Sequence, residues 1–298
     1  MSSRLSLYRV VFALLGVLFL MTRWAREVRA EGSPLATAPW AEGDPRIGAE
    51  LRAGKPLVTV VIVPLCDNAL INCGSAIAGK PRDLEHNVYW GAAFGQRRFF
   101  ERKNSGWERV EISGPGKEGL LQRAVFRRWI SRAPFGGKEG ETTEQLVVLE
   151  AVDGTEIDAA VLRFFRLATG GGTIHFSEGE RAREERIQVV GYAGHNRLMD
   201  GVALPRASAE AEGHAKAIPS FVMACISEDY FGAALRRAGS TPLVMTKTLM
   251  APEGYVIEAI SRGIGEDLPR TGLRERAVQA YAQWQRISIG VASHTFAR

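Results

Sequence analysis

Three observations predict an α/β fold, a three-layer sandwich of helices around a mainly parallel sheet. Residues 57–63 form the continuous run Leu-Val-Thr-Val-Val-Ile-Val, the pattern of a strand buried on both faces. Apolar residues at 157, 160, 161, 164, 165 and 168 then mark one face of an amphipathic helix just after a strand pattern at 145–151. Beyond it, strand and helix patterns alternate, which favours helices packed on a parallel sheet.

The chain has 298 residues, and the first thirty read as an export signal. Arg4 and Arg9 make a basic start, and Val10 to Met21 is an apolar run of twelve. A membrane span needs about 20 residues, whereas a signal core is shorter. Val28-Arg29-Ala30 suits cleavage before Glu31. The extra arginines at 23, 26 and 29 keep an uncleaved anchor as the alternative. The expected location is extracytoplasmic, periplasmic or secreted, with no membrane partner after cleavage. Residues 1–30 hold five Arg and one Glu, so they carry +4 of the chain's formal +5. The remainder is near neutral and has no basic run interleaved with aromatics, which argues against nucleic acid.

Residues 31–50, with two prolines in 34–39 and another at 45, read as a surface-hugging or loose leading segment before a single domain over 51–298. The strand at 57–63 ends at Pro64-Leu65-Cys66-Asp67-Asn68. A helix is expected from Tyr89 to Phe100, and short strands at 107–112 and 123–130. Thr155 reads as the N-cap of the 157–168 helix, and Gly170-Gly171-Gly172 as its stop rather than a phosphate loop, because they follow a helix and lack a Walker lysine. Ile187 to Ala193 is the next strand, ending at Gly194-His195-Asn196. A Gly/Ala/Glu-rich loop spans 201–217. Phe221 to Ala224 is a strand ending at Cys225-Ile226-Ser227, with Ser227 as the N-cap of a helix that stops at Gly239. A short strand at 243–246, a helix opening near Pro252 and an amphipathic helix at 274–286 complete the pattern. Trp90 and Trp107 read as core.

Ligand sites in parallel sheets lie beyond the carboxyl ends of the strands. Three strong strands end in polar or reactive residues: Cys66-Asp67-Asn68, His195-Asn196 and Cys225 to Ser227. Cysteine needs a base to form its thiolate, and histidine is the usual one. The three cysteines leave at least one thiol unpaired within the chain. Cys66 has two candidate partners, Cys73 and Cys225, and the second would remove the thiol. Asp67 and Asn68 either support His195 or simply close the strand as an Asx turn. His86, His175, His195, His214 and His294 show no ligand spacing, so neither a metal nor a cofactor is expected.

The stretches Val189-Val190-Gly191-Tyr192-Ala193-Gly194-His195 and Phe221-Val222-Met223-Ala224-Cys225 resemble the caspase, legumain and gingipain group of cysteine peptidases. There a histidine follows one strand and the cysteine ends the next. The resemblance implies a caspase-like fold, His195 as general base, Cys225 as nucleophile and a peptide or protein substrate. Asn196 stands where that group usually has glycine, whose backbone helps bind the oxyanion. The chain also resembles exported bacterial proteins of uncharacterised activity, through Cys66-Asp67-Asn68, Asn87-Val88-Tyr89-Trp90-Gly91, Gly194-His195 with Leu198-Met199-Asp200, and Ala224-Cys225-Ile226-Ser227. Three readings follow: a cysteine peptidase or hydrolase with a Cys225–His195 dyad, an inactive exported binding protein using the same sheet edge, and a hydrolase pairing His195 with Asp67 or Asp200.

Overall fold

The structure, a computed structural model, describes residues 38–205 and 217–298. The expected export signal, residues 31–37 of the expected leading segment, and most of the expected 201–217 loop with His214 lie outside the described residues.

Nine strands form among the described residues: β1 Leu57–Pro64, β2 Glu108–Ser113, β3 Leu120–Ser131, β4 Thr142–Val152, β5 Thr173–Glu178, β6 Arg181–Arg186, β7 Val189–Ala193, β8 Ser220–Met223 and β9 Pro242–Val244. The helices are α1 Pro45–Arg52, α2 Gln96–Phe100, α3 Ile157–Gly170, α4 Ala233–Arg237, α5 Gly254–Gly265, α6 Arg270–Gln285 and α7 Ile289–Ser293. Seven strands make one sheet in the order β2-β3-β4-β1-β7-β8-β9. The five from β4 to β9 run parallel, while β3 is antiparallel to both β4 and β2. The protein is therefore α/β, with a mostly parallel sheet and helices on both faces.

Alternation along β1 explains the layering. Leu57, Val61 and Val63 enter one core with α1, α2, α5 and α6, whereas Val58, Val60 and Ile62 enter the other with α3 and α4. All eight β1 residues are buried, as expected of a central parallel strand. Chain direction fixes the crevice. From β1 the chain departs toward β4, but from β7 it departs toward β8, so the connections diverge between neighbouring strands. That divergence opens a gap beyond the carboxyl ends of β1 and β7.

Several expectations need correction. Residues 45–52 are helix rather than loose segment, and Ile47 and Leu51 are fully buried. The Asp44 carboxylate accepts from the Arg46 N–H and Pro45 sits in the first turn, a local helix start. Within 89–100 only Gln96–Phe100 is helical. Residues 89–95 fold as tight turns instead, closed by the Gln96 N–H donating to the Tyr89 carbonyl at 2.8 Å, and Gly95 passes so near the Trp90 backbone that a Cβ there would lie 2.4 Å from it. Thr155 does not cap α3; Asp153 instead accepts from the Thr155 N–H and starts a short 3-10 turn. Gly171, at φ +62°, does end α3. Trp90 and Trp107 are buried in the core.

The β5–β6 hairpin was not anticipated. Ile174 and Phe176 bury one face of β5, but β6 reads Arg-Ala-Arg-Glu-Glu-Arg and offers no apolar signal. Ion pairs hold it in place: Arg183 bonds Glu144, Glu178 and Glu185, and Arg186 bonds Glu50. No helix among the described residues is long and apolar enough to cross a membrane.

Candidate active site

The ends of β7 and β8 are joined by more than their ladder. Ala193 pairs with Met223, and the Gly194 N–H extends the register by donating to the Met223 carbonyl at 3.1 Å. His195 and Cys225 each lie two residues past that pair. Neighbouring strands run about 4.8 Å apart, and residues two apart point to the same face. The fold thus puts the imidazole and the thiol at adjacent strand tips, and both line one cavity of about 490 Å³. Its other walls are the Cys66 and Cys73 pair, Val88, Tyr89, Met199 and the 249–253 segment, so the lining is largely apolar.

The backbone around Cys225 is held rigidly. Ile226 has φ +49°, a left-handed conformation rare for a β-branched residue and worth about 1–3 kcal/mol of strain. Compensating hydrogen bonds surround it. Its N–H donates to the Thr248 carbonyl at 3.0 Å. The Ser227 hydroxyl donates to the Val222 carbonyl at 2.8 Å and accepts the Thr246 N–H at 2.9 Å. The Thr246 hydroxyl accepts the Ser227 N–H and donates to the Ala224 carbonyl. Ser227 is fully buried and does not cap the following helix. Its work, and that of Thr246, is to brace the turn that carries Cys225. Thr246 was not singled out from sequence, because a threonine at a strand end has no signature of that role.

Asn196 is fully buried, and its side-chain amide donates to the Cys225 carbonyl at 2.6 Å. Its carbonyl oxygen accepts from the Leu198 N–H at 3.1 Å, starting the 3-10 turn Arg197–Asp200. One side chain therefore ties the two strand tips together and turns the chain so that Asp200 comes back to His195. The His195 Nε2 lies 2.6 Å from the Asp200 carboxylate, and Arg197 bonds the same oxygen at 2.9 Å. Burial pushes the Asp200 carboxyl up, but the bonds from His195 and Arg197 outweigh it and hold the carboxyl below its usual value. An ionised Asp200 accepts the hydrogen bond of the Nε2–H, which leaves Nδ1 as the ring nitrogen able to take up a proton. The Tyr192 hydroxyl donates to the His195 carbonyl at 2.8 Å and fixes the backbone below the ring.

Cys225 is the free thiol, and Cys66 is bridged to Cys73. The Met250 N–H points at the Cys225 sulfur at 3.5 Å, and the Met250 carbonyl lies 3.7 Å from it. Among the described residues no hydrogen bond joins the His195 ring directly to that sulfur.

Asp67 and Asn68 stay out of the cavity. The Asp67 carboxylate accepts the Ala69 N–H at 2.9 Å, an Asx turn. The Asn68 amide donates to the Ser75 carbonyl at 2.9 Å and accepts from the Cys73 N–H at 3.1 Å, so it shapes the loop containing the disulfide. The carboxylate beside His195 is Asp200, not Asp67. Asn87, fully buried, accepts the Cys66 N–H at 3.0 Å and donates to the Cys66 carbonyl at 2.8 Å, locking the end of β1. No group of three metal-ligating side chains occurs among the described residues.

Comparison of the chain with protein-family models, with curated proteins and with solved structures found no match.

Proposed function

We propose that the protein is an exported, caspase-like cysteine hydrolase of the peptidase type, with Cys225 as nucleophile and His195 as general base. One observation carries this reading: a thiol and an imidazole at adjacent strand tips line one cavity, with a carboxylate bonded to the Nε2 of that imidazole. The order histidine, then cysteine, at successive strand ends agrees with the resemblance to the caspase, legumain and gingipain group.

The chemistry follows from the roles. The Cys225 proton moves to His195 Nδ1, and Asp200 stabilises the resulting imidazolium through Nε2. The thiolate attacks the scissile carbonyl carbon. The oxyanion is taken by the backbone N–H groups of Cys225 and Asn196, since the Ile226 N–H is committed to Thr248. Collapse of the tetrahedral adduct breaks the C–N bond, and the departing amine receives the Nδ1 proton. Water, deprotonated by His195, then hydrolyses the thioester and restores the thiol. The Cys66–Cys73 bridge supports an oxidising, extracytoplasmic setting.

A second reading, a binding protein using the same pocket, is favoured by the resting partners of the sulfur, which are both on Met250. Labelling separates the two. Iodoacetamide and peptidyl acyloxymethyl ketones are expected to modify Cys225 in the folded, non-reduced protein, and His195→Ala to slow the ketone reaction at least tenfold. Modification by neither reagent refutes the nucleophile. Modification by iodoacetamide alone, with His195→Ala indifferent, supports the binding reading.

A further inference from the structure

Tyr89 belongs to the Asn87-Val88-Tyr89-Trp90-Gly91 block, in which Asn87 holds the end of β1 and Trp90 bonds Gln122. Tyr89 itself lines the cavity shared by Cys225 and His195. Its backbone is fully committed: the N–H donates to Asn87 Oδ1 at 3.1 Å, and the carbonyl accepts the Gln96 N–H at 2.8 Å. The residue is only 8% exposed, yet its hydroxyl has no hydrogen-bond partner among the described residues. The other polar side chains of the cavity wall are engaged, His195 with Asp200, Asn72 with the Gly74 N–H, and Glu253 with Tyr255 and Gln285. Buried hydroxyls elsewhere that lack a partner, those of Thr59 and Ser261, do not line the cavity.

A buried hydroxyl without a partner is costly, and folded proteins satisfy nearly all such groups. One left open on a cavity wall is free to serve what enters the cavity. Burial holds the Tyr89 phenol protonated well above its ordinary range, and the charges of Cys225 and Glu253 add to that. Both of those groups line the same cavity, so it is there that the phenol oxygen meets their charge. The result is a neutral O–H that donates and does not act as a base. Donors around Cys225 are otherwise few. The Ile226 N–H is taken by Thr248 and the Asn196 side-chain amide by the Cys225 carbonyl, which leaves the backbone N–H groups of Cys225 and Asn196. A fixed donor in an apolar cavity stabilises developing negative charge more than the same donor in water.

We propose that the Tyr89 hydroxyl is a catalytic hydrogen-bond donor to the oxyanion formed when Cys225 adds to a carbonyl, joining the Cys225 and Asn196 N–H groups. This assignment rests on the hydrolase reading, since the oxyanion arises only if Cys225 attacks. In that step Sγ bonds the carbonyl carbon and the C=O π pair moves to oxygen. The Cys225 proton stays on His195, and the phenol keeps its own proton while it bonds the oxyanion.

The test uses the protein with its disulfide intact and two probes of Cys225. Iodoacetamide alkylates sulfur by displacement and forms no oxyanion. Acetyl-norleucinal, an aldehyde, adds reversibly and places negative charge on oxygen; its affinity is read as protection of Cys225 from iodoacetamide, by intact mass. The parent is expected to be protected, and Tyr89→Phe to need at least about tenfold more aldehyde. Alkylation without aldehyde is expected to change less than about twofold, which also reports that the variant's cavity is intact. Equal protection of parent and variant overturns the proposal and leaves the hydrolase reading standing. Alkylation that falls as far as protection also overturns it, because the phenol then acts on the thiol or on packing. An equal loss for acetyl-norleucinol, an alcohol that cannot be attacked, assigns the phenol to ordinary binding and overturns the oxyanion role. A parent that iodoacetamide does not alkylate, or that the aldehyde does not protect, refutes the hydrolase reading, and the proposal falls with it.

Discussion

Replacing Asp200 with asparagine tests the geometry around His195 most directly. Asparagine keeps the shape and an acceptor oxygen for the Nε2 proton but removes the charge that stabilises the imidazolium. Two unit charges about 4 Å apart interact by about 4 kcal/mol at an effective dielectric of 20. The His195 and Asp200 side chains are 11% and 36% exposed, so solvent screens much of that. Discounting to about 1.4 kcal/mol gives a tenfold effect on any step that passes through the thiolate–imidazolium pair. Arg197, which now shares the Asp200 oxygen, would keep only its pair with Asp158 and push in the same direction. The assay is the second-order rate of Cys225 modification by an acyloxymethyl ketone at neutral pH. Asp200→Asn is expected to slow it about tenfold, and His195→Ala to slow it at least as much. Asp67→Asn, removing a carboxylate that only closes its own turn, is the control for charge alone. Equal rates for the parent and Asp200→Asn refute the assignment of Asp200 to the imidazole. A drop in Asp67→Asn as large as that in Asp200→Asn points to net charge rather than geometry.

Three further outcomes follow. Alkylation without reductant is expected to add one group, at Cys225, and with reductant three, because Cys66 and Cys73 are bridged; peptide mapping that finds Cys225 in a disulfide contradicts this. Thr246→Val removes the hydroxyl that accepts from the Ser227 N–H and donates to the Ala224 carbonyl, and should cost about 2 kcal/mol in denaturant unfolding and slow Cys225 labelling; unchanged stability would mean the turn is not braced there. Burial raises the Asp267 carboxyl from 3.8 to about 6, with the Ala41 N–H opposing and Glu42 adding. The folded state then binds the proton more tightly than the unfolded one, so this group lets stability fall as pH rises from about 4 to 6. Asp267→Asn keeps the acceptor for Ala41 and should stabilise the protein at pH 7 by up to about 3 kcal/mol, with the gain disappearing near pH 4; a gain that persists at pH 4 contradicts the linkage.

The sequence by itself determined the sheet-forming runs and much of the site. Leu57 to Val63 could be read as a doubly buried strand because every residue is apolar or β-branched, and α3 because its apolar positions recur at helical spacing. His195 and Cys225 stood out because each ends such a run. Elements held by partners distant in sequence were not legible. The β6 strand owes its place to arginine–carboxylate pairs reaching Glu50 and Glu144, and no window around 181–186 contains those groups. Only the tertiary structure decided which carboxylate serves His195: Asp67 closes its own turn, while Asn196 bends the chain so that Asp200 returns to the ring. It also decided the cysteine pairing, because whether Cys66 meets Cys73 or Cys225 depends on the loop that Asn68 and Asn87 fold beyond β1. Local pattern records which face of an element is buried. Which polar groups meet at a sheet edge depends on strand order and on the turns between strands, and those are fixed only when the whole chain packs.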